Sequence, residues 1–177
     1  SRFSEGKFQQ NHFENAFVNR FKSFLQIGIF PKELLNLYCE FTPIDYCGDA
    51  IINIASHFNK NYTVFHLLNE KHVFLDRLFN MLSDIGIHIN LIPEAEFAKD
   101  IQEILNDPKK RPLIEGIIND LTSDKKLIYQ SDVNIKSDFT KEFLYKTGFE
   151  WPYIDVNYIR NYFKYFIDIG YFNTTII

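Results

Sequence analysis

Cysteine occurs only twice in the 177 residues, as Cys39 and Cys47, with no Cys-x-x-Cys pair. That excludes a zinc knuckle and a disulfide framework, and the expectation is two buried, reduced thiols. Glycine is scarce as well: the seven glycines form neither G-x-G-x-x-G nor G-x-x-G-x-x-G. The tight strand-to-helix turn that brings backbone N–H groups to a pyrophosphate is therefore not encoded. None of the ten tyrosines has Lys four positions later, so the helical Tyr–Lys pair that hands a proton to a developing alkoxide is missing too. Basic runs stop at Lys109-Lys110-Arg111, and the net charge is −4 with a pI near 5.7. A nucleic-acid footprint is thereby excluded, and the short basic cluster reads as a solvated helix start in preference to a dock for an acidic carrier. No apolar run approaches the roughly 20 residues that span a bilayer, and no signal pattern opens the chain. A soluble, cytoplasmic protein with no membrane and no nucleic-acid partner is expected.

Local signatures of hydrolytic and metal chemistry are also missing. No G-x-S-x-G elbow occurs, and His12, His57, His66, His72 and His88 form no H-x-x-x-H or H-E-x-x-H pair. His66 and His88 fall on two expected strands and could meet across a sheet, but no third or fourth ligand accompanies them. No metal is expected. Glu94/Glu96 and Asp45/Asp49 read as helix-start carboxylates opposing the macrodipole, not as an acid–base pair.

What the sequence has is apolar and aromatic mass: 46% hydrophobic residues, with 19 Phe and 10 Tyr. That suffices for one domain with a substantial core, and residues 1–177 are taken as a single unit. A Phe-rich core accounts for most of the rings, including Trp151, Tyr153, Tyr158, Tyr162, Phe163, Tyr165 and Phe166 near the end. An apolar face made for a neighbour, or a ligand tunnel, is the second explanation. Met81 is the only methionine and the chain opens on Ser1, so a piece of a longer polypeptide is expected.

Periodicity places helices along most of the chain. Phe13, Ala16, Phe17, Phe21, Phe24 and Leu25 form one stripe that ends at Gly28 with Pro31 beyond. Tyr62 to Leu68 reads as a strand buried on both faces, Phe74 to Ile85 as a helix closed at Gly86, and Ile87 to Ile92 as a second strand. Together these predict a βαβ unit. A helix from Pro93-Glu94 runs to Asp107-Pro108, and Leu113, Ile114, Ile117, Ile118 and Leu121 predict another from Arg111 to Leu121. Thr122 to Lys136 reads as a surface connection with a short extended piece at Leu127-Ile128-Tyr129. Helices from Ser137 to Gly148 and from Asp155 to Gly170 close the chain, so four of the seven glycines end helices. The fold class is helix-rich α/β, a short βαβ-containing sheet with several packed helices.

The stretch Tyr38-Cys39-Glu40-Phe41-Thr42-Pro43-Ile44-Asp45-Tyr46-Cys47-Gly48-Asp49-Ala50 reads as a short strand turning into a helix that Asp45 caps. Tyr46, Ala50, Ile51, Ile54, Ala55 and Phe58 then bury its inner face. Further marks are Gly6-Lys7-Phe8-Gln9-Gln10-Asn11 with Asn15-Ala16-Phe17 at the start, Phe65-His66-Leu67-Leu68-Asn69, and Gly86 through Phe97 with Ile-Pro-x-x-x-Phe. Gly148-Phe149-Glu150-Trp151-Pro152, followed by Tyr158, Tyr162 and Tyr165, comes last. In order and spacing these pieces resemble the C-terminal part of the thioester reductase domains that end many nonribosomal peptide synthetases. Those domains belong to the extended short-chain dehydrogenase/reductase superfamily, with carboxylic acid and fatty acyl reductases as relatives.

The resemblance implies a substrate-binding subdomain whose Rossmann half, with its NADPH and its catalytic Ser/Thr, Tyr and Lys, is absent from this sequence. No catalytic or cofactor-binding residue carries over. Phe8, Gln9, Asn11, Phe41 and Thr42 are the implied substrate-facing residues. The implied partners are the missing Rossmann half and a phosphopantetheinylated carrier protein bearing a thioester, which the parent domain would release as aldehyde or alcohol. The resemblance further implies that the strand at Thr63 to Leu68 joins the large sheet of that half, so that the piece alone is inactive and either self-associates through an exposed apolar edge or covers that edge by rearrangement. Two other readings are a non-catalytic docking module for a carrier protein or other partner, and a reductase-like fold acting on another substrate, as in sugar-nucleotide epimerases.

Overall fold

Gly28, Gly86, Gly148 and Gly170 sit just past helices at φ 70°, 87°, 79° and 71°. Beyond Gly86 the N–H of Ile87 reaches back to Leu82 O at 2.9 Å, which closes the helix with a bond across the left-handed residue. These features belong to a computed structural model that describes residues 12–58, 64–129 and 135–174. The described residues group into two units, one from 39–58, 64–73 and 135–154, the other from 12–38, 74–129 and 155–174. The division lies inside the stretch that length alone assigns to a single unit.

The larger unit holds α1 (Ala16–Ile27), β1 (Ile29–Pro31), α3 (Leu75–Asp84), β4 (Asn90–Ile92), α4 (Glu94–Asn106) and α6 (Val156–Asp168). Asn15 caps α1 by accepting from Val18 N at 3.2 Å, and Asp155 caps α6 by accepting from Tyr158 N at 2.8 Å. β1 and β4 pair in parallel, with Ile29 opposite Asn90, Phe30 opposite Leu91 and Pro31 opposite Ile92. Phenylalanine fills the interior: Phe21, Phe24, Phe30, Phe97, Phe163, Phe166 and Phe172 are all fully buried. Their rings meet edge to face or tilted, Phe24 on Phe30 at 5.0 Å and Phe21 on Phe163 at 5.5 Å. Buried phenylalanines at about 2–3 kcal/mol each are thus the main apolar contribution of this unit.

In the smaller unit, α2 (Ile44–His57) and α5 (Asp138–Lys146) enclose Ala50, Leu144 and Trp151, with Tyr46, Cys47, Ile54, Leu67 and Phe149 against them. Two-residue strands β2 (Tyr38–Cys39) and β3 (Val73–Phe74) pair with each other, and two of the chain crossings between units fall within them.

Four expectations are corrected. Asp45 lies inside the first turn of α2 and accepts from Tyr46 N, while the cap position falls to Pro43, whose missing N–H suits a helix start. On the same helix Ile51 is 56% exposed and Ala55 is exposed, so its inner face is narrower than the stripe predicts. Of the strand expected at Tyr62 to Leu68, Tyr62 and Thr63 lie outside the described residues, and residues 64–70 form no strand. Side chains replace a ladder there: His66 N donates to Thr140 Oγ1 and Asn69 N to Thr42 Oγ1, each at 3.0 Å. β1 is the parallel partner of β4. Finally, Arg111–Leu121 is two 3-10 turns, Arg111–Ile114 and Ile118–Asp120, because Gly116 N bonds to Ser23 Oγ at 3.1 Å instead of continuing a helix.

Candidate functional site

The most constructed part of the smaller unit is built around Asn69, which is fully buried. Its Nδ2 donates to Phe41 O at 3.0 Å and to Pro152 O at 3.1 Å, while its Oδ1 accepts from Lys71 N at 3.0 Å. One amide side chain therefore ties together the segment before α2, the irregular segment 64–72 and the segment after α5. Thr42 completes the arrangement. Its Oγ1 accepts from Asn69 N and donates to Glu40 Oε1 at 2.7 Å.

Beside this hub lies an open cleft of about 310 Å³. Its floor is Leu144 and Trp151, 2% and 7% exposed, and Phe149 meets Trp151 edge-on at 5.2 Å. Tyr145 and Tyr153 stand at the rim, 73% and 75% exposed. Lys71 Nζ sits 3.9 Å from the centroid of the Tyr153 ring and 3.7 Å from Glu150 Oε2. Lys141 Nζ holds Glu70 Oε2 at 2.7 Å, and that hydrogen bond raises the lysine's pKa.

The larger unit carries a more polar depression lined by Asn19, Lys22, Ser23, Gln26, Glu115 and Tyr171 among others. Its groups already serve one another. Tyr171 Oη donates to Asn19 Oδ1 at 2.6 Å, Asn19 Nδ2 donates to Phe13 O at 2.8 Å, and Lys22 Nζ lies 4.0 Å from the Tyr171 ring centroid. Burial, and then Glu115, push the Tyr171 phenol above its ordinary pKa. Nearby, Arg20 grips Asp120 with two bonds, Nε to Oδ2 at 2.6 Å and Nη2 to Oδ1 at 2.8 Å.

Of the residues implied by resemblance, Phe41 and Thr42 are brought together at the Asn69 hub, Phe41 being buried and Thr42 half-buried. Phe8, Gln9 and Asn11 lie outside the described residues. Asn69 itself is the residue that periodicity passed over: a lone amide closing an apolar run, whose signal is that a polar group there needs partners. His88 Nδ1 pairs with Ser83 Oγ at 3.2 Å in the larger unit, while His66 belongs to the smaller one and sits on no strand. Among the described residues no group of three or more His, Cys, Asp or Glu is placed to hold a metal. Cys39 and Cys47 are free thiols, Cys39 buried and Cys47 half-buried. Of the aromatic residues near the end, Trp151, Tyr162, Phe163 and Phe166 are buried and belong to packed interiors.

Two strand-to-helix junctions among the described residues have a makeup that disfavours a dinucleotide. β3 passes into α3 at Phe74-Leu75 and β4 into α4 at Pro93-Glu94, with no glycine at either turn and with Asp76, Glu94 and Glu96 in the first helical turns. Those carboxylates would repel a pyrophosphate at the helix ends that otherwise attract one.

This architecture is helix-rich α/β with a short parallel pair. It is similar to the terminal R domain from the myxalamid PKS-NRPS biosynthetic pathway, with a TM-score of 0.75 and 18% identity over 99% of this chain and 43% of that one. It is likewise similar to a thiolation-reductase di-domain from an archaeal non-ribosomal peptide synthetase, with a TM-score of 0.74 and 25% identity over 98% of this chain and 35% of that one. The reductase domain of the aureusimine biosynthetic cluster follows at 0.66 and 18% identity, over 92% of this chain and 40% of that one. No family profile and no curated protein matches the sequence. The chain spans less than half the length of each of these structures, and its fold is that of the C-terminal part of a terminal thioester reductase domain, within the extended short-chain dehydrogenase/reductase fold. No helix among the described residues is long and apolar enough to cross a membrane.

Proposed function

We propose that the chain is the substrate-side part of an NADPH-dependent thioester reductase that releases an acyl or peptidyl group from a carrier protein as aldehyde or alcohol. The observation that carries this reading is the backbone likeness to a terminal R domain over 99% of the chain. Division of labour follows from the residues present. The sequence has neither the glycine-rich dinucleotide pattern nor a Tyr-x-x-x-Lys pair, so nicotinamide and proton delivery fall to a separate nucleotide-binding half. Its own contribution is to hold and orient the thioester. Phe41 and Thr42, fixed by Asn69, together with Phe8, Gln9 and Asn11, are the residues assigned to the substrate side.

The partners are that nucleotide-binding half and a phosphopantetheinylated carrier protein. The experiment joins this chain to the nucleotide-binding half of a terminal reductase and follows NADPH oxidation with an acyl thioester on its carrier protein. Turnover by the joined protein, and none by either half, is expected. Equal turnover by the nucleotide-binding half alone would refute the role.

A further inference from the structure

The cleft beside Asn69 has a chemistry that the reductase reading does not use. Lys71 brings a side chain only 19% exposed to its wall, with its ammonium over the Tyr153 ring and its nearest carboxylate at 3.7 Å, outside hydrogen-bond reach. A lysine whose stem is covered and whose ammonium faces an aromatic ring and a loosely placed carboxylate retains donors for a stronger acceptor. Glu150, the loose partner, is 69% exposed and free to turn outward. The other cation of the cleft does not compete, because Lys141 is bound to Glu70 at 2.7 Å and each cancels the other's charge. Asn69 Oδ1 anchors the Lys71 backbone N–H at 3.0 Å beside the cleft.

Apolar and aromatic side chains supply much of the remaining lining. Leu144 and Trp151 form the floor, and the exposed Tyr145 and Tyr153 rings flank it. A cavity of about 310 Å³ suits a small molecule. We propose that this cleft binds a small organic anion, a carboxylate or phosphate monoester carrying a flat apolar body, whose oxygens take hydrogen bonds from Lys71 while the body lies on Leu144 and Trp151. The assignment rests on the smaller unit alone and is independent of the reductase reading.

Trp151 is the only tryptophan of the chain and lies on the cleft floor, so its fluorescence reports occupancy directly. The full chain is titrated with phenylacetate and phenyl phosphate, and with phenylacetamide as a neutral counterpart. Saturable changes with at least one anion are expected, with phenylacetamide weaker by about tenfold or more. The tighter of the two anions identifies the head group. Lys71→Met lowers the affinity for the anion about tenfold and leaves phenylacetamide unchanged, Lys71→Arg retains binding, and Glu150→Gln tightens it by removing a competing carboxylate. Circular dichroism accompanies each variant, and Glu150→Gln, at an exposed position, keeps the test open should Lys71→Met fail to fold. Equal binding of anion and amide, no saturation by either anion, or a Glu150→Gln variant that binds the anion more weakly would overturn the assignment.

Discussion

Replacing Gly116 by alanine tests the packing of the larger unit at its tightest point. A Cβ built on Gly116 would lie 2.1 Å from Asn19 O and 2.4 Å from Asn19 C, both backbone atoms of α1, and 2.9 Å from Ser23 Oγ. Ordinary contact begins near 3.4 Å, so α1 and the 111–121 segment must part by more than about 1 Å. That movement also stretches the 3.1 Å bond from Gly116 N to Ser23 Oγ, a hydroxyl only 2% exposed. Overpacking of this kind costs about 1–3 kcal/mol, and the strained buried hydrogen bond about 1 kcal/mol more. A loss of roughly 2–4 kcal/mol is therefore expected, read as a lower midpoint in urea unfolding at unchanged slope. Gly48→Ala is the internal control: nothing lies within 4 Å of its Cβ, it sits inside α2, and alanine should stabilise by about 0.5–1 kcal/mol. A Gly116→Ala variant within about 0.5 kcal/mol of the parent would refute the close approach of the two segments.

Three further outcomes follow from the same geometry. Asn69→Leu leaves Phe41 O, Pro152 O and Lys71 N without their buried partner and should destabilise the protein by about 2–4 kcal/mol in urea unfolding, with Trp151 fluorescence reporting the change nearby. Asp120→Ala breaks the two-bond grip on Arg20, whose side chain is 28% exposed, and should cost about 1–3 kcal/mol, whereas Arg20→Lys recovers only part because it cannot make both bonds. Burial pushes the Cys39 thiol from 9.0 up to about 12. The unfolded chain thus releases this proton first, so the contribution of Cys39 is complete below pH 9.0 and is lost as pH rises toward about 12. A pH series of urea midpoints should fall over that window for the parent and less steeply for Cys39→Ala, and parallel slopes would contradict the buried, protonated thiol.

How far the sequence reveals this molecule depends on which forces are local. Helix ends are local: Gly28, Gly86, Gly148 and Gly170 all adopt the left-handed turn expected of them, and Asn15 and Asp155 cap the helices that follow. Apolar stripes located α3 and α4 to within a residue or two because each helix buries one face against its own unit. The failures arise where distant groups take over the backbone. Ser23 draws Gly116 N out of a helical bond, Thr140 draws His66 N out of a strand, and Thr42 holds Asn69 N just beyond it. No periodicity within 64–72 or 111–121 records those partners. β1 escaped notice because three residues ending in Pro31 are too few to show alternation. The cleft beside Asn69 escaped for a related reason, since Lys71 is far in the chain from Leu144 and Trp151 and meets them only once the fold is formed.

The proposed partition has this chain serving the thioester and nicotinamide held elsewhere. Calorimetric titration of NADPH tests it most directly, first into the 177-residue chain and then into the same chain joined to a nucleotide-binding half. The account predicts no binding heat with the chain alone and a saturating isotherm with the joined protein. Tight, saturable uptake of NADPH by the chain alone would contradict it.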